Sequence, residues 1–289
     1  CALPIFPLRR QGTGETVFTR PLRGVVTPLG AYRVMEFSDA RETGPYVLQV
    51  SNLVTHPFWI RPGAWRDTVW KTVNMFYCQR CGMAIPGVHD SCHEDWRAAH
   101  AGQARVINGG WHDAGDLSQG GVNTAEAVQA MFALAESLRK LTPAAVEAKP
   151  EEPANTKASA KSPSKPEKRA LEAQTEEGAL ANRLVEEAKW GLDWLRRTRF
   201  GDGYRVTWAT MDYWTDNRLG TIDDTLGQTG DNPFENYLAA AAAATAARVL
   251  RPAEASTAEA CLKEAEADWN FANEKAREPG VELASAGIQ

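Results

Sequence analysis

Apolar positions recur with two different periods along the chain. Up to residue 60 they come in short runs, Thr16–Thr19, Tyr32–Phe37, Tyr46–Val50 and Pro57–Ile60, rich in Val, Phe, Tyr and Leu and punctuated by Gly, Pro, Asp and Ser. Tyr46, Leu48 and Val50 alternate with Val47 and Gln49, the pattern of a half-buried strand. Four such strands predict part of a β-sandwich, because a complete one takes about seven. From Pro62 onward the period turns helical. Trp65, Val69, Val73 and Phe76 fall on one helix face, with Pro62 near the start. A second helix is predicted from Thr124 to Leu141, with Asn123 and Glu126 as a capping box and Val128, Met131, Phe132, Ala135 and Leu138 facing inward. A third covers Leu180–Arg199 and stops near Gly201. A fourth, Ala-rich, spans Pro233–Leu250. A fifth opens on a Ser256–Glu259 capping box, with Leu262, Ala265, Trp269 and Ala272 on one face. Past Gly280 the pattern dissolves. Between the second and third helices, residues 142–177 are mostly Pro, Lys, Glu, Ala and Ser, which cannot bury enough apolar surface to offset ordering entropy. They read as a disordered insertion, a charged connector or a tether to a partner.

Composition narrows the function classes. The 289 residues suit two modest domains or one large one, and 43% apolar content supports a packed core. A formal charge of −5 leaves no electrostatic footprint for nucleic acid. No apolar run approaches the ~20 residues of a membrane span. No signal peptide is visible: the chain opens Cys1-Ala2-Leu3-Pro4, without a Met and without a charged n-region. Ten Trp residues suit either core packing or a cleft for flat ligands such as sugars.

The densest chemistry lies at residues 109–116, Gly-Gly-Trp-His-Asp-Ala-Gly-Asp. Glycines let backbone approach a ligand closely. Asp113 and Asp116 stand three residues apart, behind Trp111 and His112. An indole can pack on the C–H face of a sugar while carboxylates activate a water molecule. An Asp-x-x-Asp pair among glycines is also compatible with a plain turn or a calcium loop. Of five cysteines, Cys78, Cys81 and Cys92 cluster while Cys1 and Cys261 stand alone, which looks more like a metal site than a disulfide framework.

The order of these features is specific: a β-region, a helix ending Phe76-Tyr77-Cys78-Gln79-Arg80-Cys81-Gly82, a loop with Cys92-His93, then Gly109 to Asp116. This resembles glycoside hydrolase family 9, the inverting endoglucanases, in the branch with an N-terminal immunoglobulin-like domain. The similarity extends into Glu187–Leu195 and the Ala-rich fourth helix. It implies a mainly α fold, an incomplete (α/α)6 barrel over residues 62–289, preceded over residues 1–61 by the C-terminal part of an immunoglobulin-like β-sandwich. It implies inverting hydrolysis of β-1,4-glucosidic bonds in cellulose or a related β-glucan. Asp116 matches the catalytic base, Asp113 its partner on the same water, and Trp111 and His112 the wall around them. An inverting acid and base stand about 6.5–9.5 Å apart, so two aspartates this close are co-ligands of one water. The family's proton-donating glutamate is not found here. The chain reads as cut at both ends and weakly active by itself, since losing general-acid help costs about 10²–10⁴-fold.

The same resemblance implies a structural zinc on Cys81, His89, Cys92 and His93, a Cys2His2 set of the kind zinc prefers. Two alternatives stay open: a Cys81–Cys92 disulfide, and competition from Cys78 in its Cys-x-x-Cys pair with Cys81. Calcium is a second candidate cation without an assigned site; Asp223-Asp224 reads as a solvated turn. Trp208, Tyr213 and Trp214 read equally as sugar platforms or core. The expected partner is a β-glucan polymer or oligosaccharide, met by a monomer that is secreted, periplasmic or on the cell surface. Other function classes are a non-catalytic glucan-binding module and a zinc-stabilised interaction domain.

Overall fold

The computed structural model describes residues 4–113, 117–141, 165–211 and 213–281. The chain divides into two compact units, Cys1–Val69 and Trp70–Gln289.

The first unit is all β. Its strands are β1 (Ile5–Arg10), β2 (Thr16–Pro21), β3 (Arg23–Thr27), β4 (Gly30–Val34), β5 (Gly44–Val50), β6 (Leu53–Val54) and β7 (Phe58–Ile60). An antiparallel sheet runs β2-β1-β5-β6, with β7 also on β5, and β3 pairs with β4 as a separate hairpin. In register, Leu8 faces Leu48 and Arg10 faces Tyr46. The period-2 pattern sets the core: Phe6, Leu8, Leu22, Tyr46 and Leu48 are buried, and Phe18, Phe37, Phe58 and Ile60 pack on them. The expected alternation at Tyr46 and Leu48 is observed. The run Tyr32–Phe37 is strand only as far as Val34, and β1, β3 and β6 had no sequence prediction.

Helix α1 (Arg66–Cys78) leads into the second unit, which holds five further strands and four further helices among the described residues. These are the hairpin β8 (Arg97–His100) and β9 (Gln103–Val106), the three-stranded sheet β10 (Gln119–Gly120), β11 (Arg205–Ala209) and β12 (Gln228–Gly230), and helices α2 (Gly121–Leu141), α3 (Lys165–Arg197), α4 (Pro233–Leu250) and α5 (Ala255–Lys275). Helix α2 packs on α3 and α4, and α4 packs on α5. The alanines of α4 explain its central place. Ala239, Ala240, Ala242, Ala243, Ala246 and Ala247 are all buried, so neighbouring backbones come close on several sides. Asn232 caps α4 by accepting from the Phe234 N–H at 2.8 Å, with Pro233 in the first turn.

Several boundaries differ from the sequence reading. Helix α1 begins at Arg66, four residues beyond Pro62, and Trp65 is exposed. Helix α2 begins at Gly121, so Asn123 is inside the helix rather than a cap. Glu254, whose side chain pairs with Lys189 at 2.6 Å and does not cap the helix, precedes α5, and Ser256 is inside it. The inward face of α5 is Ala258, Cys261, Ala265, Asp268 and Ala272, which leaves Leu262 and Trp269 largely exposed. Helix α3 starts at Lys165, within the segment read as a disordered insertion; residues 142–164 lie outside the described residues. That segment has almost no bulky apolar side chains but is rich in strong helix formers, and it extends a helix already anchored by Leu180, Leu184 and Leu192.

Candidate carboxylate loop and metal centre

The segment from Ile107 to Asp113 is irregular, so its carbonyls need donors from elsewhere. One face of α3 supplies most of them. The Trp194 indole donates to Ile107 O at 2.8 Å, the Arg197 guanidinium to Asn108 O at 2.9 Å and the Trp190 indole to Gly110 O at 2.7 Å. One turn earlier Glu187 accepts from the Trp111 indole at 2.8 Å. Residues 187, 190, 194 and 197 share one face because their spacing follows the helical repeat. From the other side Gln119 donates to Gly109 O at 2.6 Å, and the Cys81 N–H donates to Gly110 O at 3.0 Å. Gly110 has φ +66°, and a Cβ there would sit 2.8 Å from the Trp194 ring.

Glu187 is fully buried and shared. Arg80 reaches it with a two-pronged bond of 3.1 and 2.9 Å, and Arg183 with a 2.9 Å contact. Buried charge of this kind is tolerated only when paired and hydrogen-bonded. The sequence reading gives Glu187 no role of its own; two of its three partners, Trp111 and Arg80, lie 76 and 107 residues away.

This framework turns two of the expected wall residues inward. Trp111, expected on the wall of a sugar groove, is 6% exposed. It lies edge-on to Phe76 at 5.1 Å, and a Cβ on Gly191 would fall 2.2 Å from its ring. His112, expected beside it on that wall, is 9% exposed and turned toward sulfur, with Nδ1 at 3.2 Å from Cys81 Sγ and 3.8 Å from Cys92 Sγ. Only Asp113 of the described acidic residues here is partly open. Its N–H donates to Ser118 O at 2.9 Å, and the Ser118 hydroxyl donates to its carboxylate at 2.9 Å. Asp116 lies outside the described residues.

His112 belongs to a cluster. Cys81, Cys92, His93 and His112 are all buried, and their ligand atoms lie within 4.8 Å of one another. Three of these four were expected; the fourth is His112, in place of His89. His89 stands beside the cluster: its Nδ1 donates to Asp90 O at 2.6 Å and lies 4.0 Å from Cys92 Sγ, and its Nε2 is buried without a hydrogen bond among the described residues. Cys81 and Cys92 are free thiols, as is Cys78, which stands outside the cluster. The Cys81 thiol beside it holds Cys92 well below the ordinary thiol range, with help from His112 and His93, while burial pushes Cys81 up. His93 Nε2 donates to Leu117 O at 2.8 Å. That bond fixes the tautomer and leaves Nδ1 with a free lone pair. Nδ1 is buried and makes no hydrogen bond among the described residues. Two thiols and two imidazoles, one with an orphaned buried nitrogen, are compatible with zinc.

A second acidic group forms beyond β11. Carboxylate oxygens of Asp95, Asp216 and Asp223 lie within 4.8 Å of one another. Asp95 is buried; one oxygen accepts from Thr215 at 3.0 Å and the other has no hydrogen bond among the described residues. Asp224 is separate. It accepts the N–H groups of Gly220 and Thr221 and pairs with Arg97 at 3.1 Å. A cavity of about 260 Å³ beside it is lined by Trp208, Thr210, Tyr213, Leu226 and Gln228. Gly120 on β10 faces Trp208 on β11, two residues after Ser118 holds Asp113. Two of the three uncertain aromatics thus line one cavity; Trp214 is 75% exposed.

The family model for glycosyl hydrolase family 9 matches residues 65–287. The chain belongs to this family. Endoglucanase D of Acetivibrio thermocellus is 26% identical over 280 residues, which are 90% of this chain and 39% of that protein. A metagenome-derived glycoside hydrolase family 9 endoglucanase superposes with TM-score 0.59 and 24% identity, covering 97% of this chain and 50% of that one. A Zn-binding triple mutant of the family 9 endoglucanase J30 gives TM-score 0.59 and 24% identity, covering 98% and 53%. The architecture is part of the family fold, and the chain spans about half or less of the length of these relatives. No described helix is long and apolar enough to cross a membrane.

Proposed function

We propose that this chain carries one wall of the cleft of a β-1,4-glucan hydrolase that inverts configuration at the anomeric carbon. The observation that carries this reading is Asp113, oriented by Ser118 on a segment whose carbonyls are fixed by α3. Asp113 and Asp116 hold the attacking water, Asp116 as the base that takes its proton, and the Trp208–Tyr213 cavity receives glucose units nearby. Family membership and the endoglucanase name of the similar proteins support the substrate class. The β-strands are the C-terminal part of an immunoglobulin-like domain, and the helices the first part of an (α/α)6 barrel. The enzyme works as a monomer outside the cytoplasm, where polymeric glucan is found.

Zinc on Cys81, Cys92, His93 and His112 supplies a closed structural clamp. Calcium suits Asp95, Asp216 and Asp223, since hard cations take carboxylate oxygens and one Asp95 oxygen is buried without a hydrogen bond among the described residues. None of this chain's glutamates stands in the general-acid motif, so slow turnover is expected from it alone. The experiment is cello-oligosaccharide binding and hydrolysis by the full chain and by Asp113→Asn. A rise in melting temperature for both proteins, with residual hydrolysis only in the parent, supports the reading. Binding without hydrolysis in either marks a glucan-holding module, and no binding removes the glucan site altogether.

A further inference from the structure

The two histidines of the Cys/His cluster sit at opposite ends of the acidic loop. His112 immediately precedes Asp113. His93 reaches across to the far end, where its Nε2–H donates to Leu117 O at 2.8 Å. Both partners of that bond are conformationally demanding, for His93 has φ 62° and Leu117 φ 50°. Non-glycine residues rarely hold such values unless their surroundings enforce them. Next to these anchors Asp113 and Ser118 join the two ends with a backbone and a side-chain bond, each 2.9 Å.

The geometry points to a metal that brackets the carboxylate loop from both ends, with His93 as its positioning residue. This rests on the zinc and glucan readings above and adds to them. His93 is bound to do two things at once: its Nδ1 lone pair goes to the metal, and its Nε2–H fixes the Leu117 carbonyl. The metal thereby sets where Asp113 stands, without touching substrate. Outer hydrogen bonds of metal-bound imidazoles orient their ligands in this way, and losing one costs about 10–100-fold in metal affinity.

The test is amide exchange in the full ¹⁵N-labelled chain, comparing Asp113 with Ala246 in the buried middle of α4. Removing zinc with a chelator is expected to speed exchange at Asp113 by about tenfold or more while Ala246 holds steady. A His93→Cys variant keeps a four-ligand site but loses the bond to Leu117. Loaded with cobalt(II), it is expected to show thiolate charge-transfer bands at one equivalent, with Asp113 exchanging as fast as in the zinc-free parent. If the parent takes up no stoichiometric metal, both the zinc reading and the bracket fall. If it takes up zinc but Asp113 is indifferent to it, the bracket alone falls. Equal acceleration at Ala246 makes the metal a general staple and overturns the loop-specific claim. Full protection in metal-loaded His93→Cys removes His93 from the role. The parent comparison decides the bracket even if the variant does not fold.

Discussion

Among the described residues two glutamates lie buried, in the second half of α3 and in the first turn of α4, and they are treated oppositely. Glu187 has an indole N–H and two guanidinium groups on its oxygens. Glu235 is 5% exposed, with Oε2 making no hydrogen bond among the described residues. Arg205, the cation whose charge acts on it, is occupied by Asn236 and Asp268, at 3.0 and 2.6 Å. Burial consequently raises Glu235 to about 7, an effect Arg205 opposes only in part. The contrast shows what keeps a buried carboxylate ionised: partners that converge on it, not burial or helix position. It also separates two roles. Glu187 ties α3 to the Trp111 segment, whereas Glu235 weakens the fold wherever it must carry charge.

The sharpest way to break the comparison is to remove Glu187. Glu187→Ala leaves two buried guanidinium groups uncompensated and is expected to lose about 3–5 kcal/mol in urea unfolding. A loss under about 1 kcal/mol would mean that the network is solvated in solution. Next is Glu235→Gln. A carboxyl raised in the folded state favours folding at low pH, and that advantage disappears as pH climbs from about 4.5 to about 7. The glutamine variant is therefore expected to match the parent near pH 4 and exceed it by up to about 2–3 kcal/mol at pH 8. Parallel stability curves would show that Glu235 finds a partner. Gly191→Ala presses a methyl group into the Trp111 ring and is expected to cost about 1–3 kcal/mol, read as a lower urea midpoint. The smallest effect belongs to the exposed acidic loop. Asp223 accepts from the Thr221 hydroxyl and the Asp216 N–H, so Asp223→Asn should lower the unfolding midpoint slightly in chelator and abolish any rise on adding calcium; a calcium response that survives would place that cation elsewhere.

Much of the fold was legible locally. Alternation at Tyr46 and Leu48, the apolar face of α2 and the alanine run of α4 are one-dimensional patterns that secondary structure reads directly. Cys81, Cys92 and His93 were recognisable because thiols and imidazole that close in sequence have few other uses. Cap positions were less legible, since Asn123 and Ser256 carry the right side chains within the first turn of their helices. The helical start of α3 was missed because a lack of apolar residues argues against burial, not against helix.

The sequence by itself determined the period of each element, the acidic octapeptide and most of the thiol and imidazole set. Tertiary structure alone decided that Trp111 faces inward, that His112 replaces His89 among the converging donors, and that Glu187 anchors the loop. A pattern along the chain states which face of an element is buried. It does not state what lies opposite, and hydrogen bonds and ligand sets depend on atoms brought within about 3 Å from residues dozens of positions apart.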